Sequence, residues 1–380
     1  MILAQPPMWL VILAFLAALG PLIFFHELGH YLVGRWFGVG AESFSIGFGR
    51  EVAGWTDKRG TRWKIGWLPM GGYVKFTGDM NPASMGRDLD GLDPATRARN
   101  FHAKPVWQRF LIVLAGPAAN FLLAIAIFAA FFAVFGVPRT PPVVAMVAPG
   151  SAAQTAGLIA GDRITTFGGE SIDDFVQLRR IASMHPKETL VIDIARKGRP
   201  LTLSATLGEV NETNRFGDKL RIGQLGIANL PPTFERASPL ALIPVATKHT
   251  IATTRAMAEG LWQIVSGRRP LAELGGPMKM AQIAGQQASM GPFEFLQLVA
   301  LFSINLGFIN LLPIPMLDGG HLALYAVEAV RRRPLGERAQ EWLFRGGLAA
   351  LLTLMAFTTF NDLGSFGLWS RLARLIGVNA

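Results

Sequence analysis

The pentapeptide His-Glu-Leu-Gly-His at positions 26–30 carries the residues with the clearest chemical potential. Its histidines are four residues apart, so on a helix both imidazoles lie on one face, one turn from each other. This spacing allows both to bind one zinc ion, and Glu27 then lies where its carboxylate can act on a zinc-bound water. The alternative is a pair of interfacial histidines with a glutamate at a helix end.

The motif follows an apolar run, Met8–Phe25, that contains no charged residue. Ionisable groups in or beside a membrane span are costly, and by default they indicate a functional site. Gly20-Pro21 precedes the motif, and a proline inside a helix removes a backbone hydrogen bond. We therefore expect a kink that aims the two histidines inward.

A second polar motif lies far along the chain, where positions 310–320 read NLLPIPMLDGG. Two prolines and two glycines this close together cannot continue a regular helix. The chain is predicted to unwind there, and Asn310 and Asp318 occupy positions at which broken helices bind ions or substrate. Basic residues follow both motifs, at Arg35 and at 331–333, which predicts that both face the cytoplasm.

The composition is that of a polytopic membrane protein. Of 380 residues, 51% are hydrophobic and 16% charged, and the mean hydropathy is +0.34. The net charge of +10 fits cytoplasmic loops and anionic headgroups better than nucleic acid. Without cysteine, any metal site must use histidines and carboxylates, and no disulfide stabilises the chain.

We expect a polytopic α-helical fold of about four transmembrane helices, with a re-entrant or cytoplasmic β-element and one inserted PDZ-like α/β domain. Because no Lys or Arg precedes Arg35, the first span is predicted to be retained with its N-terminus outside. The predicted segments are the first transmembrane helix (1–36), a cytoplasmic loop with a membrane-associated β-element (37–105), the second helix (106–136), the PDZ-like extracytoplasmic domain (137–232), amphipathic surface helices (233–290), the third helix (291–330), and a loop, the fourth helix and a C-terminal tail (331–380).

Two segments between these motifs have more than one possible role. Apolar residues alternate along Ser43–Phe76, which predicts a β-element that either enters the membrane near the site or forms a cytoplasmic hairpin with aromatic anchors. In the second span, Gly116 and Asn120 suit close helix contact and an interhelical hydrogen bond. The third span is expected over Phe293–Leu317 and the fourth from Gly346.

The segment Val137–Leu230 is polar and mixed α/β, and it resembles a circularly permuted bacterial PDZ domain. Leu225, Gly226 and Ile227 resemble the loop with which such domains hold a peptide carboxylate. Peptide binding and a purely gating role both remain open. The following helix, Pro239–Ser266, contains three charged residues and is predicted to lie at the membrane surface.

Together these motifs, with LGGP at 274–277 and FND at 360–362, resemble the site-2-type intramembrane zinc metalloproteases of family M50. Within that family the chain resembles the bacterial regulator of sigma-E protease group, although only one PDZ-like domain fits. The resemblance implies that His26, His30 and Asp318 ligate one Zn2+ ion and that Glu27 is the general base.

The resemblance also implies a substrate-binding set and a biological setting. The set comprises Asn310, Pro313, Pro315, Gly47, Phe48, Gly49 and Asn120. The implied activity is cleavage of single-span membrane proteins after a first-cut protease, with an anti-sigma factor and signal-peptide remnants as substrates. The implied location is the bacterial inner membrane, with both termini and the PDZ-like domain periplasmic, the active site toward the cytoplasm, the lipid bilayer as a partner and no nucleic acid.

Two other functions compete with this hypothesis. A non-catalytic, PDZ-bearing membrane scaffold would not need Glu27 or Asp318. A zinc transporter would need further intramembrane His or Asp residues along a path, and the predicted spans contain few. His321 is expected near the site without binding the metal, whereas His102, His185 and His249 are predicted to lie at the surface.

Overall fold

The computed structural model describes residues 6–78, 92–213, 219–231, 233–267, 270, 275–333 and 336–365. The chain divides into two compact units. The first comprises Met1–Ala130 and Ile243–Ala380, and the second comprises Phe131–Leu242. The predicted C-terminal tail lies, beyond Ser365, outside the described residues.

Four helices in the described part of the chain are long and apolar enough to cross a membrane, which is the predicted number. They are α1 (Met8–Trp36), α3 (Val106–Phe135), α8 (Pro292–Leu311) and α10 (Glu337–Ser365). At 1.5 Å per residue even the shortest, with 20 residues, reaches about 30 Å, the thickness of a bilayer core. Helix α1 continues through Pro21.

The third span differs from its predicted bounds. Helix α8 ends at Leu311 rather than Leu317, and helix α9 (Asp318–Arg331) begins after a non-helical stretch. The prolines of this stretch cannot donate backbone hydrogen bonds, and Met316 has a positive φ of 80°. The predicted unwinding therefore occurs, and Asp318 is the first residue of a new helix. The fourth span also begins earlier than predicted, at Glu337.

The predicted β-element consists of two long antiparallel strands, β1 (Ala41–Thr56) and β2 (Arg62–Phe76). Residues 43–46 have partners on both sides, because they pair with 72–75 and also with 62–65. Residues 72–75 therefore form an edge of this sheet, as far as the described strands go. A short helix, α2 (Pro94–Arg99), follows in the loop, and the side chain of Asp93 caps it.

Two further helices belong wholly or mainly to the first unit, and the second of them packs against α1. They are α6 (Pro239–Val265) and α7 (Pro277–Met290). Gly285 of α7 lies so close to Val11 that a Cβ atom there would come within 2.7 Å of the valine side chain. The buried Asp362 carboxylate of α10 accepts backbone hydrogen bonds from Gly276 (3.1 Å) and Lys279 (3.0 Å), so it caps the N-terminus of α7 from another helix.

The second unit is built on a four-stranded antiparallel sheet in the order β6-β5-β7-β8. Its strands are β5 (Arg163–Phe167), β6 (Glu170–Ser171), β7 (Thr189–Arg196) and β8 (Arg199–Thr206). Three strand pairs accompany it: β3 (Val137–Arg139) with β12 (Thr233–Glu235), β4 (Val144–Val147) with β11 (Ile227–Asn229), and β9 (Gly208–Thr213) with β10 (Lys219–Gln224). Helices α4 (Ala152–Thr155) and α5 (Phe175–Met184) complete it.

An apolar cluster forms the core of this second unit, and Phe167, Ile164 and Ile192 in it are fully buried. A partly buried ion pair lies beside it, because the Arg196 guanidinium donates two hydrogen bonds of 2.8 Å to the buried Asp162. Burial alone would raise the pKa of Asp162, but the Arg196 guanidinium and the backbone N–H of Ile159 hold that pKa below its usual value.

Candidate metal centre

Helix α1 presents its two histidines to one point. The Nε2 atoms of His26 and His30 are 3.3 Å apart, and the rings are edge-to-face with centroids separated by 4.8 Å. This arrangement follows from the i, i+4 spacing, which stacks side chains one turn apart. His26 is 8% exposed, so the pair is largely shielded from solvent.

Asp318 approaches the same point from the first turn of α9. Its Oδ2 atom lies 3.1 Å from His26 Nε2 and 3.4 Å from His30 Nε2. The three atoms thus form a triangle with edges of 3.1, 3.3 and 3.4 Å. Ligands on a tetrahedral zinc ion with bonds of about 2.0 Å are separated by about 3.3 Å. The residues present therefore fit a zinc ion and leave a fourth position for another ligand.

Helix α3 orients both imidazoles through their other nitrogens. The Nδ1 atom of His30 donates to the backbone carbonyl of Ile112 at 2.9 Å, which leaves Nε2 unprotonated and able to bind a metal. The Nδ1 atom of His26 lies 3.1 Å from the side-chain amide of the fully buried Asn120. When that amide presents its oxygen, it accepts the Nδ1 proton and frees Nε2 of His26 in the same way.

Small residues allow α1 and α3 to approach closely at this point. A Cβ atom at Gly116 of α3 would overlap the imidazole of His30. A Cβ atom at Gly29 of α1 would likewise overlap the backbone carbonyl of Ala115. Gly116 is therefore a packing residue, and what it packs against is one of the two histidines.

A cavity of about 790 Å³ opens in front of the three converging atoms. Glu27 lines it and is 8% exposed. Val74 also lines the cavity, and the Cγ atom of Glu27 lies 3.0 Å from where a Cβ atom on Gly72 would stand. Residues 71–74 at the edge of the β-element therefore form the cavity wall next to Glu27.

Comparison with known proteins decides the family. The model of peptidase family M50 matches residues 14–354. The chain belongs to peptidase family M50. This match includes both halves of the converging site and the insert between them.

Named relatives agree with M50 membership. A protein of Agrobacterium fabrum, "Putative zinc metalloprotease Atu1380", is 42% identical over 361 residues, which are 93% of this chain and 96% of the relative. "Metalloprotease MmpA" of Caulobacter vibrioides is 37% identical over 391 residues, 96% of this chain and 98% of the relative. The protein is therefore a zinc metalloprotease of the M50 family, and four of its helices are apolar enough to cross a membrane.

A solved structure matches a smaller part of the chain. The PDZ domain of an SdrC-like protein from Listeria monocytogenes is 18% identical, with a TM-score of 0.20, and covers 25% of this chain and 92% of the solved domain. A likeness this weak does not assign the fold of the second unit.

The substrate residues predicted for this M50 site lie in three different settings. Asn310 and Phe48 line the cavity, and the Phe48 ring stacks on Tyr73 with centroids 6.0 Å apart. Gly47 and Gly49, on either side of Phe48, have φ values of +86° and +82°, which only glycine adopts without strain. The others are not among the cavity-lining residues: Asn120 contacts His26, Pro313 is exposed, and Pro315 packs against Gly347 of α10.

The predicted peptide loop lies in the second unit, apart from these residues along the chain. Leu225 is buried in the apolar core, Ile227 begins β11 opposite Val147, and Gly226 has a φ of +80°. A Cβ atom on Gly226 would overlap the side chain of Ser151. The glycine is thus needed both for its backbone conformation and for space.

The structure corrects one sequence interpretation and adds several residues. His102 was predicted at the surface, but its ring nitrogens are buried and it lines the cavity. His321 also lines the cavity and packs on Phe344, with ring centroids 5.1 Å apart. The sequence interpretation missed the backbone carbonyl of Ile112, because every residue type carries such a group. It also missed three cavity-lining residues: Arg109, Tyr325 and Glu328.

Proposed function

We propose that this M50 protein is an intramembrane zinc endopeptidase that cleaves the transmembrane segments of single-span proteins. The observation that carries the proposal is the triangle formed by His26, His30 and Asp318 within a bundle of apolar helices. Three protein ligands with an open fourth position are typical of catalytic rather than structural zinc. One ion per chain would be held.

When bound, zinc would polarise the scissile carbonyl and lower the pKa of a coordinated water to about 7. The chain's own contribution is proton transfer. Glu27 adjoins His26 in sequence and faces the cavity, so its carboxylate can accept a proton from the attacking water and deliver it to the leaving amide nitrogen. Gly72 and Val74 line the cavity beside Glu27.

A helical substrate hides its scissile carbonyl in backbone hydrogen bonds, so the enzyme must hold it in an extended form. The sheet edge at residues 72–75 lines the cavity beside Glu27 through residues 72–74 and has the geometry to pair with an unwound segment. Phe48 and Asn310 line the same cavity and would contact substrate side chains and backbone. For Asn120, the contact with His26 supports a role in orienting that histidine.

The distribution of charge supports an orientation in the bacterial inner membrane. Arg35 lies in the last turn of α1, just beyond the two histidines. Three arginines, 331–333, stand at the C-terminal end of α9, beyond Asp318. The positive-inside rule then puts the active site toward the cytoplasm and both termini in the periplasm. Helix α6 exposes Leu240, Ile243 and Trp262 beside its charged residues, as a helix lying on the bilayer surface would. The predicted order of segments is part of this proposal, with the third and fourth spans bounded by α8 and α10.

The second unit would act on substrates outside the membrane. We assign it a PDZ-like role, in which Leu225, Gly226 and Ile227 hold the new C-terminus left by a first-cut protease. Strand β11 pairs with β4 on one side, which leaves its other edge for a peptide, as far as the described strands go. Anti-sigma factors and signal-peptide remnants, implied by the family resemblance, are the substrate candidates.

The proposal is tested with the purified full chain in detergent and a tagged single-span substrate. We expect cleavage within the transmembrane segment, with loss of cleavage on addition of a zinc chelator and recovery when zinc is restored. Glu27→Ala should be inactive while still binding zinc. Undiminished cleavage by Glu27→Ala would refute the proposed chemistry.

A further inference from the structure

Helix α3 contacts both helices that supply the proposed metal ligands, α1 and α9. Arg109, Ile112, Gly116 and Asn120 are spaced by three or four residues, so they share one face of the helix. Three of them contact the histidines: Ile112 accepts from His30, Gly116 packs against the same ring, and Asn120 contacts His26. Only Arg109 extends instead toward α9, the helix that begins with Asp318.

The contact between α3 and α9 is an ion pair in the cavity wall. Arg109 Nη2 donates to Glu328 Oε1 at 2.8 Å, with the two side chains 8% and 16% exposed. The guanidinium is held at two further points, because its Nε donates to the Lys104 carbonyl at 3.1 Å and its carbon lies 4.9 Å from the centre of the Tyr325 ring. This fixes Arg109 in one geometry.

The ion pair acts on the same face of α9 as Asp318. Asp318, Tyr325 and Glu328 all line the cavity, as positions i, i+7 and i+10 of one helix do. At 1.5 Å per residue, Glu328 lies about 15 Å along the axis from Asp318. Apart from the two imidazoles, the buried Oδ2 atom of Asp318 has no hydrogen-bond partner among the described residues. Its position therefore depends on how α9 is held.

We propose that Arg109 and Glu328 are positioning residues that hold α9 against α3 and thereby set the Asp318 carboxylate relative to the two histidines. A buried ion pair is poor evidence for stability, since apolar residues of similar size often stabilise a fold equally well. Its fixed geometry instead selects one placement of the two helices. The inference rests on the proposed ligand set of His26, His30 and Asp318.

The test replaces both charges together, so that no unpaired charge remains buried. The variant Arg109→Met/Glu328→Leu keeps the packing volume and removes the tether. A matched control is Arg196→Met/Asp162→Leu, which removes an ion pair with the same 2.8 Å contact from the second unit. Zinc affinity of the full chain in detergent is measured by competition with a chromophoric chelator, and the unfolding temperature is measured after metal removal.

We expect the zinc dissociation constant of Arg109→Met/Glu328→Leu to rise about ten- to a hundredfold, the usual effect of losing groups that orient metal ligands. Its kcat should fall, whereas its KM should stay within about twofold of the wild-type value, because the proposed substrate contacts at Phe48, Asn310 and residues 72–74 are unchanged. The control should retain wild-type zinc affinity. Unchanged zinc affinity in the first variant, or a loss that merely follows a lower unfolding temperature of the metal-free protein, would overturn the inference.

Zinc binding by wild type and by Asp318→Ala distinguishes failure of the proposed function from failure of the positioning role alone. If wild type binds no zinc, or if Asp318→Ala binds it as tightly as wild type, the ligand set itself is wrong and the positioning role is overturned with it. If Asp318→Ala loses zinc while Arg109→Met/Glu328→Leu does not, only the positioning role is overturned.

Discussion

The two units of this protein bury polar groups in opposite ways. In the first unit, His26, Glu27, Arg109 and Asn120 are all less than 9% exposed and lie in or next to a single cavity. In the second unit the core is an apolar cluster, and the fully buried Asp162 is paired with Arg196 beside it. Burying polar groups is costly unless each finds a partner, so their grouping around one cavity in an apolar bundle indicates chemistry rather than folding.

The comparison also separates two ways of making a site. The first unit uses side chains at fixed spacings, whose effect depends on residue type. The second unit offers a strand edge and a glycine with positive φ, whose effect depends on backbone shape. Substitutions should therefore affect zinc and cleavage in the first unit, and peptide binding or local stability in the second.

The largest expected effect is at Glu27. Glu27→Gln keeps the size of the side chain and removes the group that transfers protons, so we expect cleavage to fall by about 10²- to 10⁴-fold. Zinc content, measured by mass spectrometry of the metal, should stay at one ion per chain. Glu42→Gln is the control, because Glu42 forms an exposed ion pair with Lys75 within the β-element, away from the metal ligands in sequence. Equal activities of the two variants would remove Glu27 from the mechanism.

The second-largest effect is expected from a substitution at Asn120. Asn120→Ala removes the amide beside His26 Nδ1, and we expect zinc affinity to fall about ten- to a hundredfold. Chelator competition measures this, with Asn229→Ala in β11 as the control, since the Asn229 amide bonds only to the adjacent Leu230 carbonyl in the contacts described. A wild-type affinity for Asn120→Ala would mean that His26 needs no orienting partner.

Gly226 tests the backbone site of the second unit. Gly226→Ala introduces a Cβ atom that overlaps Ser151, so the loop must shift, and affinity for a peptide with a free C-terminus should fall at least about tenfold. Gly157→Ala has a similar φ of +82° with no atom near its new Cβ, and thus controls for backbone strain alone. Fluorescence anisotropy with a labelled peptide gives both affinities. Zinc binding should not change in either variant.

The smallest expected effect concerns Asp162 and pH. Its folded-state pKa is lowered, so its stabilising contribution is present above the unfolded-state pKa of about 3.9 and is lost as pH falls through the folded-state value. Asp162→Asn should therefore destabilise the second unit at pH 7 by about 1–2 kcal/mol and by less below pH 4. Hydrogen exchange of the β7 amides in the full chain measures the difference. A pH-independent difference would contradict the account.

Much of the candidate site could be predicted because its residues carry side-chain chemistry at recognisable spacings. His26 and His30 are related by one helical turn, and the prolines before Asp318 mark the unwound stretch whatever surrounds them. In the second unit, the mixed α/β character of Val137–Leu230 was predicted, and the unit contains both strands and helices.

The remainder depends on partners that are distant in sequence. The Ile112 carbonyl binds His30 across 82 residues and could be supplied by any amino acid, so no pattern identifies it. Arg109 and Glu328 are 219 residues apart, and only the packing of α3 on α9 brings them together. Asp362 caps α7 from another helix for the same reason. The end of α8 at Leu311 was missed because the apolar pattern continues into the unwound stretch.

The most direct measurement for the central claim is X-ray absorption at the zinc edge on the purified full chain. The account predicts two imidazole nitrogens and carboxylate or water oxygens at about 2.0–2.2 Å from one ion. His30→Ala should lose one imidazole contribution, and Asp318→Ala should lose most of the bound zinc. A spectrum without imidazole scattering, or one that Asp318→Ala leaves unchanged, would contradict the account.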